Sequence, residues 1–175
     1  TLAADLNSTD AQNNLGFLYV EGHIVNKDVN KGIQYYTHAA NQNNKEALHN
    51  LGCLYYLGKD VKRDINKAIF YLSKAASQNE PLSHILLASI YFTGEHVPHD
   101  VSRAIYHLKQ AADQKHPFAQ YFLGALYYEG KHIRKNINKA LHYLSLATEQ
   151  NEPHALTQMG FIYMEGEYIN QDINK

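Results

Sequence analysis

The sequence has no tryptophan and a single cysteine, Cys53, so no disulfide can form within it. A chain without disulfides fits a reducing compartment, and a cytoplasmic location is expected. The sequence also lacks any apolar run of about 18 residues, the length that a membrane-spanning helix needs. No membrane insertion is therefore expected.

Neither sign of charge is in excess. Sixteen Lys and Arg residues stand against 17 Asp and Glu residues, for a net charge of −1. Nucleic acids and anionic membranes attract proteins through a dense basic field, which this composition does not supply. A nucleic-acid partner is therefore not expected, and this also disfavours an RNA-binding helical repeat. The hydrophobic fraction of 45% is sufficient for a folded core.

Signals of catalysis and metal binding are sparse as well. The 11 histidines follow no fixed spacing, and His96 and His99 are separated by Pro98, with no Cys or carboxylate cluster to complete a metal shell. No glycine-rich loop is present that could cradle a phosphate. No nucleophile has an evident base beside it, and Cys53 is interpreted as a small buried residue. We expect no metal, no cofactor and no enzymatic activity.

What the sequence does contain is an internal repeat of 36 residues. Its clearest column is a tyrosine, at Tyr19, Tyr55, Tyr91, Tyr127 and Tyr163. Three more columns keep the same step of 36 residues. The column that starts at Gly22 contains only glycine, the one at Asp28 only Asp or Asn, and the one at Lys31 only Lys or Arg. Four columns in one register indicate a repeat protein.

Each repeat predicts two helices. Asp64 can cap the second helix, where Ile65, Ile69, Leu72 and Ala76 form an apolar stripe at helical spacing. The first helix is predicted to begin near Pro81, Pro117 and Pro153, because proline is tolerated in a first turn. It should end at the glycine column, Gly58 in the second repeat, since glycine adopts the left-handed conformation of a C-terminal cap.

A second small-residue column lies in the middle of the first helix. Its members are Gly16, Gly52, Ala88, Gly124 and Gly160. Restriction to Gly and Ala predicts a close helix crossing, with the alanine pairs of the second helix, such as Ala75 and Ala76, as the facing surface. One hairpin cannot bury its own apolar face, so stacked hairpins forming an α-solenoid are expected.

The register also predicts the organisation of the chain. Residues 1–7 are interpreted as the tail of a preceding repeat, residues 8–151 as four full repeats, and residues 152–175 as a partial fifth. Because repeat arrays need polar terminal caps and neither end has one, we expect this single domain to be part of a longer protein.

The pattern resembles the Sel1-like repeat family, relatives of the tetratricopeptide solenoids. That family's unit resembles A-x-x-x-L-G-x-x-Y-x-x-G-x-G-V-x-x-D-x-x-K-A, followed by an aromatic-rich helix ending in A-A. The matching residues of one repeat are Ala47, Leu51, Gly52, Tyr55, Gly58, Val61, Asp64, Lys67, Ala68, Tyr71, Ala75 and Ala76. The resemblance covers essentially the whole sequence. It implies a right-handed α-solenoid of stacked hairpins.

The sequence departs from the family pattern in two columns. The second loop glycine is replaced by Ile24, Asp60, His96, His132 and Tyr168. At Ile24 and Tyr168 the loop is expected to bend differently from the family's loop. The glycine after the second helix is replaced by Asn43, Asn79, Lys115 and Asn151. Asparagine tolerates the left-handed region best after glycine, so the second change is mild.

The resemblance implies a non-catalytic scaffold or adaptor that binds a partner peptide or helix, within a multi-protein complex. In related solenoids the first helices line the concave face, and transferring that geometry selects a strip of candidate residues. The predicted partner-binding residues are Phe17, Val20, His49, Tyr56, Leu57, Ile85, Phe92, Tyr121, Tyr128, Phe161 and Met164. Cys53, Leu82 and Phe118 extend the same strip. Aromatic anchors in a groove are typical of peptide recognition.

Alternatives remain open at this stage. The column of Tyr56, Phe92, Tyr128 and Met164 could equally be core. Exposure is favoured for the column of Asn13, His49, Ile85, Tyr121 and Thr157, because its chemistry changes from repeat to repeat. The alternative function is a structural spacer that makes contacts through its outer face and its ends.

Overall fold

The computed structural model describes residues 8–165, and within them it contains nine helices and no strand. The helices are α1 (Thr9–Glu21), α2 (Val29–Asn41), α3 (Lys45–Leu57), α4 (Ile65–Ala76), α5 (Pro81–Thr93), α6 (Val101–Asp113), α7 (Pro117–Glu129), α8 (Ile137–Thr148) and α9 (Pro153–Glu165). Odd numbers are the first helices of the repeats and even numbers the second helices. The predicted helical segments at 1–7 and 172–175 lie outside the described residues. No helix between residues 8 and 165 has the length and apolar character needed to cross a membrane.

Helices begin and end at the boundaries that the sequence predicted from capping residues and prolines. Each second helix is preceded by an Asp or Asn whose side-chain oxygen accepts a hydrogen bond from the N–H three residues later, as from Lys67 to Asp64 at 3.0 Å. Three first helices begin at Pro81, Pro117 and Pro153. The C-terminal caps Gly22, Gly58, Gly94 and Gly130 are all left-handed, with φ from 63° to 75°.

The small-residue column does mark close helix crossings, but the predicted facing surface is wrong. A Cβ atom placed on Gly52 would lie 2.5 Å from Cγ of Leu72, and one on Gly124 would lie 2.7 Å from Cγ of Leu144. At Gly16 the facing side chain is Tyr36. The crossing therefore falls one helical turn before the alanine pairs, which are buried elsewhere in the core.

The tyrosine and lysine columns join the two helices of a hairpin. Tyrosine rings stack in the pairs Tyr19–Tyr35, Tyr55–Tyr71 and Tyr127–Tyr143, with centroids 5.6, 6.0 and 6.0 Å apart. The ammonium groups of Lys31, Lys67 and Lys139 lie 4.3, 4.9 and 5.3 Å from the centroids of the first ring in each pair. The interpretation of the lysine column as helix-start chemistry is thus incomplete, because these lysines also make cation–π contacts.

The chain divides into two compact units, unit 1 (Thr1–His99) and unit 2 (Asp100–Lys175). In unit 1, one cluster of buried side chains includes Leu48, Leu51 and Ala75, and a second surrounds Leu72 and Leu87. In unit 2, a cluster contains Leu144, Ala147, Ala155, Met159 and Ile162. In both units, second-helix side chains share a cluster with first-helix side chains of the following repeat. This arrangement is what stacked hairpins require.

The loop at Ile24 does not bend differently from its counterparts. The N–H of Asp28 donates to the carbonyl of Tyr19 at 2.9 Å, and Asp64 donates to Tyr55 at 3.0 Å in the next repeat. Ile24 is 80% exposed, so its side chain imposes nothing on the turn. The expectation that this loop differs from the family's loop stays a prediction at Ile24, and Tyr168 lies outside the described residues.

The loops after the second helices contain residues with positive φ at Asn43, Asn79, Lys115 and Asn151, between 58° and 62°. Lys115→Gly should therefore raise the free energy of unfolding by about 0.5–1 kcal/mol. A left-handed residue other than glycine costs about 1–2 kcal/mol, and the greater freedom of unfolded glycine offsets part of the gain. Urea unfolding followed by circular dichroism measures this change in the free energy of unfolding. Asn79→Gly, the control, should gain less, and a less stable Lys115→Gly protein would contradict the argument.

Candidate functional site

A pocket of about 250 Å³ lies on the first helices of unit 1. Residues of α1, α2 and α3 and of the two loops that follow α1 and α3 form it. Its lining consists of Phe17, Val20, Glu21, Lys27, Tyr36, Asn50, Cys53, Leu54, Leu57, Lys59 and Asp60. Val20, Tyr36 and Leu54 are buried, whereas Phe17 and Leu57 are 51% and 64% exposed. The pocket thus combines an apolar interior with two large apolar side chains that face solvent.

An ion pair between the two loops forms part of the lining of this pocket. Nζ of Lys27 lies 2.7 Å from Oδ1 of Asp60, which is in the following repeat. One repeat later, Nη1 of Arg63 donates to Nε2 of His96 at 2.8 Å. Asp60 and His96 both stand in the column where the family has glycine. The departure from the family pattern therefore places a polar side chain where it contacts a basic residue of the preceding repeat.

Three of the predicted partner-binding residues, Phe17, Val20 and Leu57, line the pocket together with Cys53. Val20 is only 7% exposed and belongs to the core, so it shapes the pocket from below. Tyr56 is half-buried, and the guanidinium carbon of Arg63 lies 5.5 Å from its ring centroid. Phe92 is also half-buried, with its ring edge-on to His99 at 6.1 Å.

The remaining predicted residues do not join this pocket. Ile85 is half-buried on α5, and in unit 2 Tyr121 is half-buried and stacks on His154 at 5.4 Å. Tyr128 is half-buried near the ammonium group of Lys135, whose nitrogen lies 5.5 Å from the ring centroid. Phe161 and Met164 on α9 are exposed. The column from Tyr56 to Tyr128 is therefore neither full core nor free surface, because loop side chains lie against its rings.

The column beginning at Asn13 is less exposed than expected. Asn13, His49, Ile85 and Tyr121 are half-buried, and Thr157 alone among its five members is exposed. The physical reason is lateral packing between repeats. Nδ2 of Asn50 donates to Oδ1 of Asn13 at 2.9 Å, and Nδ1 of His49 lies 2.8 Å from Oγ of Ser83. Residues in this column therefore contact the next repeat.

A cysteine–histidine pair borders the pocket, contrary to the prediction that no nucleophile has a base beside it. Sγ of Cys53 lies 3.2 Å from Nε2 of His49, whose Nδ1 contacts Ser83. Burial raises the pKa of Cys53 to about 11, and burial lowers the pKa of His49. Both shifts keep the proton on sulfur and the imidazole neutral, which opposes formation of the reactive thiolate. The spacing of four residues on one helix was the sequence signal for this pair.

The described residues show no metal site, since nowhere among the side chains that the structure describes do three or more His, Cys, Asp or Glu residues converge. His96 instead accepts from Arg63 and lies 3.4 Å from Glu95. The lining of the pocket offers apolar burial, hydrogen bonding and ion pairing. These are the interactions of recognition.

Buried His84 makes the stability of unit 1 depend on pH. Burial lowers the pKa of His84, while a hydrogen bond to the backbone of Ala76 and the nearby Glu80 partly oppose the shift. Because the folded pKa lies below the unfolded value, the unfolded chain takes up more protons as pH falls below about 6.5. The stability is fully present above that pH and decreases as pH falls toward the folded pKa.

His84→Gln should therefore reduce the loss of stability between pH 7.5 and pH 5.5. Glutamine is the natural residue one repeat later, where Nε2 of Gln120 donates to the carbonyl of Ala112 at 3.4 Å. It preserves the equivalent hydrogen bond but cannot be protonated, and His49 retains its own pH dependence. Urea unfolding midpoints at the two pH values provide the measurement. An unchanged pH dependence would show that His84 is not responsible.

The hairpins, their caps and the first-helix pocket together define an all-α repeat protein. The sequence profile of the Sel1 repeat matches the chain at residues 9–44, 45–80, 81–116, 117–152 and 153–175. The chain therefore belongs to the Sel1 repeat family. The predicted fold class, an all-α solenoid of hairpins with a 36-residue repeat, is confirmed by this match and by the solved structures it resembles.

Solved Sel1 repeat structures are similar over most of the chain. A Sel1 repeat protein from Oxalobacter formigenes shares 33% identity with a TM-score of 0.87, over 98% of this chain and 70% of that one. The protective antigen c5321 of uropathogenic Escherichia coli, which displays an SLR fold, shares 28% identity with a TM-score of 0.88, over 94% of this chain.

This chain spans only 35% of the length of c5321. Cysteine rich protein B from Helicobacter pylori shares 26% identity with a TM-score of 0.59, over 75% of this chain and 94% of that one. No curated protein sequence matches significantly. Sel1 repeat proteins are generally non-catalytic scaffolds for protein interactions.

Proposed function

We propose that this chain is a non-catalytic protein-interaction module that binds a partner peptide or helix on the first-helix face of unit 1, the surface formed by α1 and α3. The observation that carries the proposal is the pocket with the exposed side chains of Phe17 and Leu57 at its edge. Large apolar side chains at a concave site are the usual anchors of protein recognition.

The pocket volume supports a peptide side chain as its occupant. Small-molecule sites usually enclose about 300–1,000 Å³. The pocket of about 250 Å³ lies below that range. Cys53 in its lining and the neighbouring His49 are held in their neutral forms by burial, which does not favour a reactive thiol there. One or two apolar side chains from a partner match it better than a cofactor or a metabolite.

Leu57→Asp tests this proposal. Peptides selected from a phage-displayed random library on the wild-type chain are synthesised, and their affinities are measured by fluorescence polarisation. The variant should weaken binding at least about tenfold, because it removes apolar contact area and places a carboxylate against the ligand. Leu57 is 64% exposed, so the helical circular dichroism should be unchanged.

Phe70→Asp is the matched control for the second candidate function, a spacer that makes contacts through its outer face. Phe70 on α4 is 52% exposed, and the ammonium group of Lys74 lies 4.7 Å from its ring centroid. An exposed aromatic side chain on a second helix is the observation that favours this alternative. Loss of binding in Phe70→Asp, with binding retained in Leu57→Asp, would reject the first-helix proposal in favour of the outer face.

A further inference from the structure

We propose that the pocket of unit 1 selects a short peptide motif in which one apolar residue is flanked by a basic residue toward α1 and an acidic residue toward α3. This inference rests on the proposed function and specifies the chemistry of the partner. It follows from the charges that remain at the pocket once those that neutralise each other within the chain are set aside.

Four charged side chains line the pocket, two of each sign. Lys27 and Asp60 form an ion pair at 2.7 Å, so neither needs a charge from a ligand. Glu21 and Lys59 remain. They stand on different repeats, Glu21 at the end of α1 and Lys59 in the loop after α3. A ligand that crosses from one repeat to the next therefore passes a carboxylate and then an ammonium group.

Neither remaining charge is satisfied by a strong internal partner. Oε2 of Glu21 lies 3.8 Å from the exposed imidazole of His23, which carries charge only when protonated. Lys59 forms no ion pair with any residue of the described part of the chain. A basic residue facing Glu21 and an acidic residue facing Lys59 would complement both. Reversing this order would place like charges together, which disfavours binding.

The anchor between the two charges is apolar because the interior of the pocket is apolar. Val20, Tyr36 and Leu54 are buried beneath it, and Phe17 and Leu57 stand at its edge. Burying a charged side chain among these groups would cost desolvation with no paired group to offset it. The predicted order across the pocket is thus basic, apolar, acidic.

Cys53 provides an internal reporter of occupancy. It is the only cysteine in the chain, it is partly accessible, and it lines the pocket. A peptide whose apolar residue enters the pocket must cover Sγ and slow its reaction with a small disulfide reagent such as dithiodipyridine. Conversely, a bulky adduct on Cys53 should block the peptide. The rate of thiol modification therefore shows whether a given peptide occupies this pocket, whatever the natural partner is.

The test uses the whole chain and the same phage-selected peptides. Wild-type selection should enrich the basic–apolar–acidic order, and bound peptide should slow thiol modification of Cys53 at least about fivefold. A charge-exchanged protein, Glu21→Lys with Lys59→Glu, should enrich the opposite order. Each single reversal should weaken the binding of wild-type peptides by about 1.4-fold to fivefold, the range of an exposed ion pair. Lys74→Glu on α4, the control, should change nothing.

The outcomes separate this inference from the function beneath it. The selected peptides could slow the modification of Cys53 and fail to bind the Leu57→Asp variant, yet show no basic–apolar–acidic order. That result would overturn the motif and leave the proposed function standing. Peptides whose binding is unchanged in Leu57→Asp, and which do not slow the modification of Cys53, would overturn both the motif and the proposed function. Failure of the library to yield any binder would also count against the motif, since a random library contains every three-residue combination.

Discussion

Leu72→Ala should lower the free energy of unfolding by about 2–5 kcal/mol, the range of large-to-small core substitutions that leave a cavity. Leu72 is 0% exposed and sits in the core of unit 1 with Ala68, Leu87 and Ile90. It is also the side chain that the backbone of Gly52 approaches. Urea unfolding of the whole chain, followed by helical circular dichroism, gives the measurement.

A double-mutant cycle tests the contact between Gly52 and Leu72. The effect of Gly52→Ala on stability should change sign when Leu72 is also replaced. In the wild type, Gly52→Ala should destabilise by about 1–2 kcal/mol, because overpacking outweighs the better helix propensity of alanine. Leu72→Ala removes the two closest atoms, Cγ at 2.5 Å and Cδ2 at 2.7 Å, and leaves the backbone N of residue 72 at 3.3 Å. In that background the same substitution should stabilise by up to about 1 kcal/mol.

Gly160→Ala is the matched control, because no atom of the described residues lies within 4 Å of the Cβ position there. It should stabilise in the wild-type background. If Gly52→Ala has the same effect with and without Leu72, the close crossing does not govern this column.

Gly58→Ala should destabilise unit 1 by about 2–4 kcal/mol. The φ of Gly58 is 63°, which costs a side chain about 1–2 kcal/mol. The new Cβ would also lie 2.9 Å from Cα and 3.0 Å from N of Arg63. These are backbone atoms, so relief requires the loop to move. That loop carries Lys59 and Asp60, and the shape of the pocket should change with it.

Gly58→Asn separates the two causes. Asparagine tolerates the left-handed region, as Asn79 does at a φ of 59°, but it brings the same Cβ atom. A loss of about 1–3 kcal/mol should therefore remain from the backbone contact alone. Stability equal to that of the wild type would show that conformational freedom, and not close approach, makes glycine necessary at this position.

The sequence was sufficient to predict the elements of the fold. Asp64, Pro81 and Gly58 mark helix boundaries through chemistry local to each residue, and the structure places boundaries at all three. The partner of Gly52 could not be predicted, because the crossing point depends on the relative tilt of two helices. A stripe read from sequence contains Leu72 and Ala76 alike, and one turn of shift changes which of them meets the glycine.

The site was less predictable than the fold. Phe17 and Leu57 were selected by their columns and do line the pocket, whereas the ion pair in its lining joins Lys27 to Asp60 in the next repeat. Such a contact depends on how neighbouring repeats stack, which no pattern within one repeat specifies. The pair of His49 and Cys53 was different. The four-residue spacing of the two residues was visible in the sequence. Their pKa shifts depend on burial in the folded chain, which the spacing does not specify.

The contacts between loops give the repeats of unit 1 a definite sequence order. Lys27 meets Asp60 in the following repeat, and Arg63 meets His96. If the first two repeats were exchanged, Arg63 would face Ile24 and lose its acceptor, while Lys27 would be set against His96. These repeats share the same arrangement of helices, but their loop side chains differ, so the repeats are not interchangeable. Shuffled versions of unit 1 should keep their helices and lose the matched loops that border the pocket.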